Sequence, residues 1–536
     1  MIEVIKTFFE THLLTAVTFL PLVGALWLFV FPGKKDDTTY RGIALIWSLI
    51  TLGLSLLLFV NFDPANPEIQ LKETISWIPD YGINYGLGVD GISLVLVLLT
   101  TFLMPLIMIA AASVHNNMRG YLANMLILET AMIGTLVATD VFLFYIFWEF
   151  MLFPMYFLIG IWGGARRIYA TLKFVLYTVA GSVLLLVALL YVVWQHADQV
   201  GTVSFAISDL LATKLSLHEE LWLFAACAIA FGIKVPIFPF HTWLPDAHVE
   251  APTGGSVVLA GVLLKMGLYG FIRIAYPLFP LAAERFTPVL AALAVFGIIY
   301  GALVAWAQTD IKKLVAYSSV SHLGYCVLGF VAMNTMSATG SIYQMLNHGV
   351  STGALFLLVG VLYDRRHTRA IAEYGGLASK VPVFAFFFLV FTLSSIALPL
   401  TNGFVGEFLI LNGSFRTFPV LTAFAVLGVI LGAVYMLTLY MKTMFGELDE
   451  KKNGQLEDMN RRELVMLIPL LIAVFVMGIY PQPIINLYEP TVKSYVSRIE
   501  SRREDAKVRM IAEQQAGDKI LVAEKTKSKI DKMAKL

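Results

Sequence analysis

The chain has 536 residues, 58% of them hydrophobic and 14% charged, with a mean hydropathy of +0.77. That composition belongs to a polytopic membrane protein and excludes a soluble enzyme. A formal net charge of +1 gives no footprint for nucleic acid, and the two cysteines, Cys227 and Cys326, each sit alone in an apolar run. Iron–sulfur, haem and structural zinc sites need ligand sets that this chain lacks, so any redox cofactor belongs to a partner.

Apolar runs of about 20 residues predict fourteen membrane spans. They fall near 12–31, 41–61, 91–113, 121–138, 140–162, 172–194, 221–243, 255–277, 288–307, 312–332, 341–363, 382–411, 418–445 and 464–485. The first run lacks a basic lead-in and is long enough to span, so it reads as a helix rather than a cleavable signal.

Basic residues concentrate in the odd-numbered connections: Lys34, Lys35 and Arg41; Arg119; Arg166 and Arg167; Lys312 and Lys313; Arg365, Arg366 and Arg369; Arg461 and Arg462. By the positive-inside rule these connections are cytoplasmic and both termini lie outside. The tail runs against that rule. Residues 491–536 hold 12 Lys/Arg against 7 Asp/Glu and would lie outside, although charges so far from a span weigh little.

Gly86, Gly88 and Gly91 form a GxGxxG pattern, but the sequence around it suggests no strand before it and no βαβ unit, only a span after it. It reads as a glycine-rich entry to the third helix, not a nucleotide site.

The seventh span is interrupted. Lys234 ends an apolar run, Pro236, Pro239 and Pro245 follow, and a second run carries Lys265. A lysine at membrane depth costs roughly 2.5–3.5 kcal/mol even on lenient scales. Proline beside it breaks the helix, and irregular backbone at that depth survives only inside protein or around water. The twelfth span is interrupted similarly, at Pro399–Gly403 just before Glu407.

These features repeat. Ile168-Tyr169-x-x-Leu172 recurs as Ile342-Tyr343-x-x-Leu346, 174 residues on; Glu149 matches His322 and Lys234 matches Glu407 at 173; Lys173 and His348 lie 175 apart. Some 173 residues hold about five spans, and an odd number inverts the second copy. Transporters built of inverted repeats place ion sites near the midplane at broken helices. The expected organisation is a three-helix segment (1–118), two five-helix repeats (119–285 and 286–458), a last span (459–490) and a charged extension (491–536).

The ionisable residues inside these spans are the candidate site. Glu149 and Lys234 are natural partners, since each stabilises the other's charge; a purely structural ion pair is the alternative. Lys265 and Glu407 read as proton-transfer groups. His322 and His348 can relay between them, because imidazole titrates near neutrality. Lys173 and His241 lie nearer span ends, where capping and snorkelling compete with a proton role. His241, Asp246 and His248 resemble a metal cluster but lack a third good ligand among the prolines.

Phe231-Gly-Ile-Lys234-Val-Pro-Ile-Phe-Pro-Phe-His241-Thr-Trp-Leu-Pro-Asp246-Ala-His248-Val-Glu250-Ala-Pro-Thr and Leu264-Lys265-Met-Gly closely resemble the antiporter-like subunits of respiratory complex I. So do Trp148-Glu149, the run Asp310–Tyr325 and Asn347-His348-Gly, and the resemblance covers roughly residues 80–450. It implies an all-α fold of about fourteen transmembrane helices. Within it, two inverted five-helix repeats hold a proton half-channel each, and helices 7 and 12 are broken. By the same resemblance Glu149 and Lys234 form a coupling pair, Lys265 a central relay and Glu407 a terminal site; sister subunits usually carry lysine where Glu407 stands. NADH, FMN, iron–sulfur clusters and quinone would reside in partner subunits, with sister antiporter-like subunits and lipid alongside, in a prokaryotic plasma membrane. Relatives in multisubunit Na⁺/H⁺ antiporters and membrane-bound hydrogenases supply the alternative reading. The charged tail is longer than the family pattern suggests and reads either as a helix along a neighbouring subunit or as disordered.

Overall fold

The computed structural model describes residues 11–30, 36–114 and 116–533. Lys34 and Lys35, the last residue of the first expected span and the final three residues of the tail lie outside that set. Twelve described helices are long and apolar enough to cross a membrane. In chain order they begin with α1 (Leu13–Val30), α2 (Asp37–Asn61) and α3, whose span runs Gly91–Ser113. Next come α4 (Met118–Val137), α5 (Val141–Trp162) and α6 (Arg167–Val200). The two interrupted spans are each a pair of shorter helices. Leu217–Lys234 (α7) is followed by Trp243–Glu250 (α8), and after α9 (Thr253–Leu278), α10 (Pro280–Trp306), α11 (Ile311–Val331) and α12 (Thr335–Arg366), Pro382–Ser395 (α13) is followed by Asn402–Thr417 (α14). The chain closes with α15 (Pro419–Met444), α16 (Arg461–Ile479) and α17 (Gln482–Met533).

Several expectations change. The fold is not purely helical: β1 (Gln70–Ile78) and β2 (Ile83–Val89) form an antiparallel hairpin, pairing Gln70 with Val89 and Ile78 with Ile83. The GxGxxG glycines therefore do sit on and just after a strand, in a hairpin rather than a βαβ unit. Their small size admits neighbours: a side chain at Gly86 would meet Thr139, and one at Gly91 would strike the Leu487 carbonyl of α17. The hairpin also holds α1. Buried Glu73 accepts from Leu14 N (2.7 Å) and from the Thr15 hydroxyl (2.5 Å), so its carboxylate caps orphan donors at the start of that helix.

The tail is a helix. Residues 482–512 lay a stripe of Ile485, Tyr488, Val492, Tyr495, Val496 and Ile499 into the bundle. The fourteenth span ends at Ile479, shorter than expected, because Pro481 and α17 follow at once.

Connections sort onto two faces. On one, Lys312 donates to Val249 O and Ala251 O, Arg369 to Val249 O, and Asp310 bridges to Ala370; all belong to odd connections or the helix ends beside them. On the other, Asp140 bridges to Ala206, and Arg502 of α17 donates to Pro277 O and Leu211 O.

Candidate functional site

Two helix breaks and one widened helix position the buried charges. Lys234 is the last residue of α7, where the helix dipole favours a cation. Its ammonium lies 5.0 Å over the Trp148 ring, a cation–π distance. Trp148 is fixed by an Nε1–H bond to Ser182 Oγ (3.0 Å). Trp243, just past the break, donates to Ile233 O (2.9 Å) and satisfies a carbonyl that the lost helical turn frees. Glu149 was expected to pair with this lysine, and no salt bridge joins them: Oε1 of Glu149 is buried without a hydrogen-bond partner. Glu149 and Trp148 are sequence neighbours on a helix, so the ring and the carboxylate leave in different directions and the ring meets the lysine.

Lys265 lies in α9, which widens into π-type turns at Leu259–Leu263 and Phe271–Ala275. Such turns disturb the regular ladder and leave carbonyls for other donors. The Lys265 ammonium takes up Ala260 O and also meets His348 Nδ1 at 2.7 Å. The other nitrogen of His348, Nε2, is buried and unpartnered. The His348 and His322 rings stand 5.9 Å apart between centroids. A cavity of about 10 Å³, near the room needed by a single water, is lined by both rings with Ser351, Ser394 and Ser395. On its far side His322 Nδ1 meets Glu407 Oε1 at 3.2 Å, and His322 Nε2 meets Ser395 Oγ at 3.2 Å.

Glu407 sits in the second turn of α14, immediately after the second break. Ala397 and Leu400 within that break adopt left-handed φ angles of 57° and 75°. Gln344 donates to Glu407 Oε1 (3.0 Å) and accepts from Asn347, which also donates to Asn402 O (2.8 Å). Gly406 is required here, since a side chain on it would strike Gln344 and Asn347. Four of the expected residues, Lys265, His348, His322 and Glu407, thus form one row across α9, α12, α11 and α14. Lys234 and Glu149 form a second locus at the first break.

The two span-end candidates behave differently from the row. Lys173 pairs with Asp246 at 2.7 Å, and both are partly exposed. His241 is buried between the Phe238 and Tyr300 rings, at 5.6 and 5.1 Å, with Nδ1 unpartnered. Asp246 is committed to Lys173 and His248 stacks flat on Phe356, so the apparent metal cluster is dispersed. A polar cleft of about 470 Å³, lined by Arg167, Glu250, Lys312, Asp364 and Arg369, opens on the odd-connection face.

Sequence reasoning missed Gln344, Asn347, Asn402 and the serines around the cavity; uncharged polar residues stand out little in an apolar run. It also missed the buried ion pair of Asp90 with Arg273 and the buried Glu129.

Residues 138–432 match the family model described as NADH:quinone oxidoreductase/Mrp antiporter, and residues 18–135 match the amino terminus of NADH-ubiquinone oxidoreductase chain 4. The chain is 47% identical over 495 residues to NADH-quinone oxidoreductase subunit M of Rhodobacter capsulatus, covering 90% of this chain and 96% of that one. Among solved structures, a chain of respiratory complex I from Thermus thermophilus superposes with a TM-score of 0.82 at 32% identity, covering 91% of this chain and 99% of that one. A chain of the Mrp complex from Dietzia sp. shares the fold, with a TM-score of 0.77 at 20% identity over 91% of this chain and 99% of that one.

Proposed function

This chain belongs to the NADH:quinone oxidoreductase/Mrp antiporter family of membrane subunits, and we propose that it is the M-type proton-translocating subunit of an NADH:quinone oxidoreductase. The observation that carries this reading is the buried row from Lys265 through His348 and His322 to Glu407. Each neighbour is a proton donor or acceptor within reach of the next, with one water-sized gap between the imidazoles.

In this reading a proton on Lys265 passes to His348 Nδ1. From the His348 ring it crosses the cavity to His322, and then reaches Glu407. Gln344 and His322 hold the Glu407 carboxylate ready to accept it. Glu149 and Lys234 act at the first break: approach of the carboxylate raises the lysine's hold on a proton, and withdrawal leaves Lys234 with only the Trp148 face and releases it. Lys173 with Asp246, and His241, would feed that first locus from the span ends. The cleft beside Lys312 would admit protons from the cytoplasmic side, where the odd connections lie under the positive-inside rule. The repeats at 119–285 and 286–458 would each hold one half-channel.

Electron transfer would occur elsewhere. NADH, flavin, iron–sulfur clusters and quinone would be held by partner subunits, with sister antiporter-like subunits beside this one in the inner membrane. Moving each proton against 100 mV costs about 2.3 kcal/mol, which partner redox chemistry must supply through charge rearrangement along the row.

The complex reconstituted in vesicles provides the test. Lys265→Met and Glu407→Gln should each remove NADH-driven proton uptake while the complex still assembles. Wild-type proton uptake in both variants would sink the proposal, and sodium uptake in place of proton uptake would favour an antiporter.

A further inference from the structure

Glu129 lies in the middle of α4 with no exposed surface, and neither carboxyl oxygen has a hydrogen-bond partner. The half-exposed residues near it on that helix are Asn124 and Ile127. At about 100° per residue, Glu129 points almost opposite to them, into the bundle, along the buried stripe of Met125, Met132 and Leu136.

Two contacts fix its depth. A side chain at Gly254, near the start of α9, would strike the Tyr121 hydroxyl and lie 3.2 Å from Met125 Cε. Fifteen residues later, Tyr269 donates to Leu136 O at 2.5 Å. So α4 and α9 run side by side in the same direction, and Glu129 falls level with the turn around Gly261, against which Leu103 of α3 lies. That is where the Lys265 side chain, reaching back along its helix to Ala260 O, places its ammonium. The carboxyl and the central lysine therefore share one level.

Among the described residues, no ion pair or hydrogen bond from the packed elements reaches Glu129. Asp90 and Arg273 pair with each other. Glu149 on α5 makes no ion pair, and Tyr269 is spent on Leu136 O. An ionised carboxylate without water, donor or counter-charge is far costlier to bury than the neutral acid.

We propose that Glu129 is a further proton-carrying carboxyl of this chain, holding a proton level with Lys265 and exchanging it with that lysine during turnover. The inference rests on the proton-translocating reading above. In the exchange the carboxyl O–H bond breaks and an N–H bond forms on the neutral Lys265 amine, through water entering between α4 and α9. A neutral pair becomes carboxylate and ammonium, and return of the proton restores it.

The test uses the whole complex in vesicles, with Glu129→Gln and Glu129→Leu. Leucine suits the apolar surroundings and removes an unsatisfied group, so it keeps the fold even where glutamine does not. Both variants should at least halve the protons moved per NADH oxidised. The infrared difference spectrum induced by turnover should also lose a protonated-carboxyl stretch that wild type shows, which a merely structural residue would leave in place. Wild-type pumping in both variants with an unchanged carboxyl spectrum overturns the proposal. If Lys265→Met also pumps normally, the functional reading itself has failed; if Lys265→Met is inactive and the Glu129 variants are not, only Glu129 is excluded.

Discussion

At the scale of single residues, the proposed proton row has its charges incompletely paired. A fully satisfied ion pair would hold its proton in one place, whereas Lys265 leans on the His348 ring and a carbonyl. Glu407 is better supported, by Gln344 and His322. A hydrogen bond to a charged group is worth about 1.5–3 kcal/mol, which is roughly a ten- to hundredfold effect on an equilibrium. Gln344→Leu should therefore leave the Glu407 carboxylate held by His322 alone and slow proton passage along the row about tenfold or more. Measured as NADH-driven proton uptake, the variant should be slow, and Gln344→Asn partly active; equal rates in all three chains would show that Gln344 is only filler. The charged members of this row were legible in the sequence because a charge in an apolar run is expensive. Their supporting amides and serines were not, since these cost little in a helix and pair only across elements distant in the chain. That Glu149 acts on Lys234 through space rather than by a direct salt bridge was not legible in the sequence either. Burial and proximity to a break can be read from a string of residues, but the direction in which Trp148 and Glu149 leave α5 cannot.

At the scale of elements, the two breaks and the hairpin show where local pattern succeeds and fails. Lys234 at the end of α7 with Pro236 and Pro239 after it, and Pro399 to Gly403 before α14, announced irregular backbone inside apolar runs. The hairpin escaped notice because Asn61–Val89 reads as an acidic connection, and Gly86 and Gly88 weaken any strand signal. Those glycines are there for closeness to Thr139 rather than for flexibility. Closeness also governs Gly406. A methyl group there would push Gln344 and Asn347 away from Glu407 and Asn402. Gly406→Ala should cut proton uptake severalfold with the complex still assembled on a native gel, while Gly432→Ala, where a side chain meets open space, should behave as wild type. In the hairpin, Glu73→Ala would leave Leu14 N and the Thr15 hydroxyl without their acceptor. About 1–3 kcal/mol of local stability should go, seen as faster hydrogen exchange at the start of α1 with the rest unchanged.

At the scale of the whole molecule, a polytopic helical bundle and its loop charges were readable from hydropathy and basic residues, with twelve described helices long and apolar enough to span, yet the two faces only become coherent in three dimensions. Odd connections gather around Lys312 and Arg369, and even ones gather under α17. The tail had two readings, and its buried apolar stripe decides for a helix. About four successive turns of packing, from Ile485 to Ile499, rather than its charges, hold it: Arg498–Glu68 at 3.2 Å and Lys507–Glu284 at 2.9 Å are exposed or half-exposed pairs, each worth at most about 1 kcal/mol. Burying the side chains from Ile485 to Ile499 is worth about 1.5–3 kcal/mol apiece for the larger ones. Two truncations therefore separate the contributions. Ending the chain after residue 512 with Arg498→Ala and Lys507→Ala added removes both of those ion pairs and none of the stripe, so thermal stability and complex assembly should stay near wild type. Ending it after residue 481 strips cover from Gly91, Tyr276 and Phe330 and leaves their apolar surroundings bare, so the subunit should be lost from the assembled complex. Raising salt should not reproduce the second defect in the full-length chain, because screening weakens the ion pairs and leaves the stripe intact. A full-length chain that dissociated at high salt as the short truncation does would mean the charges, not the stripe, fasten α17 across the bundle.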